Sequence, residues 1–187
     1  MDFKAAASVQ EFFREAVCAA IKNQGLESSE LTEFYLVNLL SEYANTTIDD
    51  APLAIKLGEA AGALPAERAQ LLRDVGDKSL YVSGFFADSL QRSLVDVDYY
   101  IQIGGTAYAQ LARMGSSLQG PFVPVYGELA GNFPRFVEVL AEVSKGSDIT
   151  SDRTVVELYE RWLRTGSEWI ERKLRARGVI PKKGDAH

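Results

Sequence analysis

Residues 74–113 read DVGDKSLYVSGFFADSLQRSLVDVDYYIQIGGTAYAQLAR, and this stretch decides the fold. Its apolar residues recur with a helical rather than an alternating period. Leu72, Val75, Leu80, Val82, Phe86 and Leu90 mark one stripe of a helix that Pro65 opens and that extends to about Ser93. A second helix follows from about Val95 to Met114. Gly76, Gly84, Gly104 and Gly105 interrupt both. A glycine inside a helix costs about 1 kcal/mol relative to alanine, so these positions point to close approach of another backbone or of a ligand. The polar side of the stretch is acidic, with Asp74, Asp77, Asp88, Asp96 and Asp98.

Helical signals continue on both sides. Ser8 and Glu11 have the spacing of a capping box, and Val9, Phe12, Phe13, Ala16, Val17, Ala20 and Ile21 form one apolar face that Gly25 terminates. Cys18 falls on the opposite side. Ser28 or Ser29 starts a helix reaching about Ala44, whose centre, Phe34 to Leu40, is apolar nearly all round and calls for cover on several sides. Asn38 is the polar exception there and needs a partner. A short helix spans Leu53 to Ala63. Beyond Gly115–Gly120, Pro121 begins another short helix, and Asn132 with Pro134 opens one more that ends near Gly146. Arg153 to Arg177 reads as one long final helix with Tyr159, Trp162, Gly166 and Trp169 along its seam. Gly178, Val179, Ile180 and Pro181 have the signature of a Schellman ending. Phe122 to Tyr126 is the one strand-like run, and its prolines weaken it. The expectation is an all-α, single compact multi-helix bundle of seven or eight helices. One domain covers residues 1–187, with a basic tail at about 178–187.

The 187 residues carry a net charge of −6, unevenly spread. Residues 153–183 sum to +5, whereas residues 1–152 carry −10. The basic end is read as packing lengthwise on the acidic body with Trp162 and Trp169 as anchors, not as a nucleic-acid arm. No stretch has the apolar length of a membrane span, and no secretory signal opens the chain, so the expected location is cytoplasmic. The single cysteine fits a reducing compartment.

The residue inventory removes most chemistries. The only histidine is the final residue, His187. Histidine general bases, Ser-His-Asp and Cys-His nucleophiles, histidine zinc sites and Glu-x-x-His di-iron pairs have no residues to build them. One cysteine leaves no iron–sulfur cluster. A phosphate-binding glycine loop is missing, and Gly104-Gly105 lacks the setting of a dinucleotide fold. No cofactor is expected. What survives is carboxylate chemistry: Asp74 and Asp77 share a helical face, and Asp96 and Asp98 open the next helix, a set able to hold Mg²⁺ against a phosphorylated substrate if Arg73 or Arg92 gripped the phosphate. Ion pairing of Asp74 with Lys78 and helix-start roles for Asp96 and Asp98 are the simpler explanation. Likewise Tyr81, Phe85, Tyr99, Tyr100 and Tyr108 suit either a pocket for a small apolar ligand between the fourth and fifth helices or plain core.

The segments GDKSLYVSGFFADSL, VDYYIQIGGTAYAQLA, FPRFVEVLAEVS and LYERWLRTGSEWI resemble those of an uncharacterised family of all-helical, soluble bacterial proteins. That resemblance implies a compact helical fold and brings no activity or catalytic residue. The leading functional expectation is a non-catalytic helical protein that binds a protein partner or itself, as a homodimer, with no nucleic-acid or membrane partner. It rests on the scarcity of catalytic groups, on Cys18, and on the apolar run Phe122–Tyr126. The apolar-ligand pocket and the Mg-dependent enzyme are the alternatives.

Overall fold

The computed structural model describes residues 3–46, 48, 51–86, 90, 96–115, 118, 120–146 and, further on, 159, 162–163, 171, 174–175 and 178–180. Among these residues there are seven helices and no strand: α1 (Phe3–Asn23), α2 (Glu30–Asn45), α3 (Leu53–Gly62), α4 (Pro65–Phe85), α5 (Val97–Met114), α6 (Val123–Gly131) and α7 (Phe133–Gly146). None is long and apolar enough to cross a membrane.

Helix α4 is the spine. It packs on α5, α7, α3 and α2, while α1 lies against α2 and α7, and α6 against α5. Its expected stripe is buried throughout, from Leu72 and Val75 to Phe86 and Leu90. The glycines set how near its neighbours come. A Cβ on Gly76 would sit 2.5 Å from the Tyr108 ring, on Gly84 2.4 Å from Leu140 Cβ, and on Gly104 2.4 Å from Phe133 Cζ and 2.6 Å from Ser79 Cβ. The α4–α5 and α4–α7 crossings therefore exist only because these side chains are absent.

Local end signals behave largely as their chemistry requires. Ser29 caps α2 by accepting from Thr32 N–H, and Asp96 caps α5 by accepting from Tyr99 N–H. Gly25 has φ 57° and Gly178 φ 77°. After each, the next apolar residue folds back: Leu26 N–H bonds to Ile21 O, and Val179 N–H to Leu174 O. Both are Schellman endings. The Ser8–Glu11 box, by contrast, starts nothing. Helix α1 begins at Phe3, because Ala5, Ala6 and Ala7 are strong helix formers and extend it upstream.

Other expectations shift. Helix α4 stops at Phe85, with Phe86 turned out of the helical region at φ −130°, well before Ser93. Helix α6 begins at Val123 and takes Pro124, not Pro121, into its first turn. Phe12 and Phe34 are exposed, at 42% and 50%, so the faces expected to be buried are narrower than the apolar pattern. Asn38 reaches no backbone; its Oδ1 accepts from Gln10 Nε2 of α1 at 3.1 Å. In the C-terminal part, Trp162 and Leu174 are buried in a small cluster with Tyr159 and Val179 packed against them. The long final helix expected over 153–177 lies mostly outside the described residues. Trp169 and Gly166, like Arg92 and Asp88, lie outside the described residues.

Side-chain hydrogen bonds tie distant elements together. Glu128 of α6 accepts from Ser29 N at 3.0 Å, Ser29 Oγ at 2.7 Å and Thr32 Oγ1 at 2.8 Å, placing a negative charge at the start of α2. Arg135 Nη2 donates to Gln24 O at 2.8 Å, covering the carbonyl end of α1.

Candidate functional site

The four expected aspartates are not assembled in one place. Asp77 points into the α2–α4–α5 interface, where its Oδ1 accepts from Tyr35 Oη at 2.6 Å and from Tyr108 Oη at 2.7 Å. Asp74, one turn earlier, accepts from Gln70 Nε2 and lines a shallow depression with Glu42, Lys56 and Lys78. Lys78, its expected partner, stands in the same depression and donates to Ala51 O at 3.3 Å. Asp96 and Asp98 line a different cleft, between α4, α5 and α7, with Glu138, Ser144 and Lys145. Among the described residues no three acidic, cysteine or histidine side chains gather into a metal-holding group.

The Asp77 cluster is a structural knot. Burial is the main cause that pushes its carboxyl up to about 6, against the two tyrosine hydroxyls and Arg73, which pull the other way, while Asp74 adds to the rise. Burial and the neighbouring Asp77 raise the Tyr35 and Tyr108 hydroxyls above their ordinary range, so they act as donors. Substrate has no approach to this carboxylate through the clefts described here, since Asp77 lines none of them.

The aromatic candidates separate in the same way. Tyr81, Phe85 and Tyr108 are buried. Tyr81 stacks on Tyr43 at 4.7 Å and on Phe85 at 5.0 Å, and Tyr108 stacks on Tyr126 at 6.0 Å. Tyr108 packs in the α4–α5 crossing with Gly76 against its ring, Tyr81 and Phe85 stack towards α2 and α1, and Phe85 also borders the cleft that holds Asp96 and Asp98. Tyr99 and Tyr100 are half-buried and pack edge to face, 5.3 Å apart. Cys18 is exposed, as its helical position implies, and its thiol donates to Glu33 Oε2 at 3.4 Å. Desolvation and then Glu33 raise its pKa, against the weaker pull of Arg14, so it is not an activated nucleophile.

Two other surfaces carry more chemistry. A groove of about 260 Å³ runs between α4, the end of α5 and the start of α6. Leu111, Leu118, Pro121, Phe122, Val123 and Tyr126 line it, with Gln70 and Arg73 on one wall. Beside it the half-exposed Phe34 lies parallel to Phe122, with ring centroids 6.5 Å apart and planes within 2°. The Arg73 guanidinium stands near the Tyr126 hydroxyl and donates to Gln70 Oε1 at 2.9 Å. The second surface is a wider cleft of about 670 Å³ along α5, lined by Arg68, Gln102, Gly105, Thr106, Ala109, Gln110, Arg113 and Met114. Neither surface was singled out from sequence as a whole. The spacing of Gln102, Thr106, Gln110 and Arg113 does mark one polar side of α5, but only folding brings Arg68 to it.

No family model, curated protein or solved structure matches this chain.

Proposed function

We propose that this is a non-catalytic helical protein whose role is to bind another protein chain through the edge where α2 meets α6. The observation that carries the reading is the Phe34–Phe122 stack: a phenyl ring half open to water, laid flat on a second ring at the mouth of an apolar groove. Leaving aromatic surface of this kind in water forgoes burial worth roughly 25 cal/mol per Å². Aromatic anchors with arginine beside them are also the composition that dominates binding at protein interfaces.

The groove defines its occupant. Its floor is apolar, and Arg73 supplies a cation on one wall. A segment bearing one bulky apolar side chain followed by a carboxylate satisfies both, with the carboxylate exchanging water for a charge-assisted hydrogen bond. Selection of a displayed peptide library on the folded protein tests this. Expected binders share an apolar anchor with a neighbouring Asp or Glu, and lose about tenfold or more of their affinity to Phe34→Ala and to Arg73→Glu. A selection that yields no binders, or binders indifferent to both substitutions, overturns the proposal. Light scattering on the eluting protein separates a second copy as occupant, because a dimer that Phe34→Ala dissolves makes the partner the chain itself.

A further inference from the structure

The wide cleft along α5 is chemically unlike the rest of this protein. The chain carries −6 overall, yet among the described residues no carboxylate lines this cleft, and two arginines from different helices do, Arg68 of α4 and Arg113 of α5. Neither forms an ion pair among the described residues. Arg68 is anchored at one corner, where Nη2 donates to Gln110 Oε1 at 3.1 Å. Its Nε–H is buried and has no acceptor. A buried donor left unsatisfied costs about 1–3 kcal/mol, and such a group in a folded protein calls for an explanation, a missing ligand among them. The guanidinium is thus held in place with donors to spare.

The remaining lining fits a small polar molecule. Gln102, Thr106 and Gln110 follow one another along a single side of α5 and offer amide and hydroxyl groups. Gly105 and Ala109 keep the floor low between them. Gly105 is informative here: a Cβ on it would meet only Phe133 at 3.8 Å, so core packing does not demand a glycine, unlike Gly104 beside it. At about 670 Å³ the cleft falls in the range of small-molecule sites.

We propose that this cleft binds a small oxyanionic metabolite, its phosphate or carboxylate clamped between Arg68 and Arg113 and its body laid along Gln102, Thr106 and Gln110. Planar guanidinium groups match oxyanions through paired N–H donors. Two of them, with no carboxylate beside them among the described residues, offer an anion paired donors from two helices. The ligand is a phosphate ester or a dicarboxylate, and the two are told apart by which probe the cleft prefers.

Calorimetry on the full-length protein at low ionic strength, with inorganic phosphate, succinate and uncharged glycerol, decides the matter. One of the two anions should saturate with a dissociation constant at or below about 1 mM, and glycerol should give no heat. Arg113→Gln should weaken that anion about tenfold or more with the fold intact, since Arg113 is exposed and has no ion pair among the described residues. Arg68→Gln should do the same; if it fails to fold, Thr106→Val, with a loss of several-fold, takes its place. Stronger binding of phosphate assigns a phosphate ester, and stronger binding of succinate a dicarboxylate. Absence of saturation by either anion overturns the proposal. So does binding that survives Arg113→Gln undiminished, which would place the anion on basic residues elsewhere in the chain.

Discussion

Helix α5 has two sides that each carry a glycine and an alanine, and they do opposite things. One side, Gly104, Ala107, Tyr108 and Leu111, is buried against α4 and α7. The other, Gln102, Gly105, Thr106, Ala109, Gln110 and Arg113, faces a cleft. The adjacent glycines Gly104 and Gly105 fall one on each side. On the closed side the missing Cβ is a geometric necessity. On the open side it only leaves room. A glycine pair in a helix therefore carries no single meaning, and the helical phase of each residue decides which role it has.

The largest effect that bears on this contrast comes from Gly104→Ala. The new methyl would overlap the Phe133 ring and Ser79 Cβ, and Ser79 is fully buried with its hydroxyl bonded to Val75 O at 2.6 Å, so it has no freedom to withdraw. Overpacking of this kind costs about 1–3 kcal/mol, and the upper end applies here. Gly76→Ala, which would push Tyr108 off Asp77, should cost a similar amount. Urea unfolding midpoints measure both. An unchanged midpoint for Gly104→Ala would mean that the helices do not cross this closely.

The next effect probes the carboxylate sealed beneath the closed side. The Asp77 carboxyl is raised from 3.8 to about 6 in the fold. Between those values folded Asp77 holds more proton than in the unfolded chain, so its contribution to stability is greatest below about pH 4, falls as pH rises toward 6, and levels off beyond. The full shift corresponds to roughly 3 kcal/mol. Asp77→Asn removes this slope. Unfolding free energies at pH 4, 5, 6 and 7 would show it, and a wild-type profile that rises over this interval by the same amount as that of Asp77→Asn would contradict the assignment.

These residues also show what a sequence reveals and what it hides. The ends of helices are local, and Ser29, Asp96, Gly25 and Gly178 could be read because each cap is closed within a few residues. The apolar stripe of α4 was legible for the same reason. The pairing of Asp74 and Asp77 on one helix side was visible too, but not what Asp77 meets. Tyr35 and Tyr108 lie 42 and 31 residues away in the chain, and no periodicity encodes that meeting. The exposure of Phe34 and the union of Arg68 with Gln110 depend equally on how helices cross. Propensity misled at Ser8, where an alanine run outweighed a capping box, and at Phe86, where α4 ends without a sequence stop signal.

A smaller effect separates the two hydroxyls on Asp77. Each donates to the carboxylate and pulls its pKa down. Tyr108→Phe keeps the ring against Gly76 and deletes one donor, at a cost of about 1 kcal/mol where Asp77 is ionised. The descending part of the stability profile should then extend to higher pH than in the wild type. Tyr108→Phe with an unaltered profile would show that Tyr35 alone satisfies the carboxylate.

The smallest effect is the sharpest test of the open side. At Gly105 an alanine methyl would find Phe133 Cβ at 3.8 Å and Cγ at 3.9 Å, ordinary contact distances. The substitution also reduces the freedom of the unfolded chain, and alanine is the better helix former. Gly105→Ala should therefore stabilise the protein by about 0.5–1 kcal/mol, with the opposite sign to Gly104→Ala one residue away. Because the methyl would stand in the floor of the arginine cleft, the same variant should bind the preferred oxyanion more weakly than the wild type. A gain in stability with a loss of binding is the combination expected of a glycine that a ligand requires and the core does not. Destabilisation instead would put Gly105 inside the packed crossing, and the two sides of α5 would no longer be distinct.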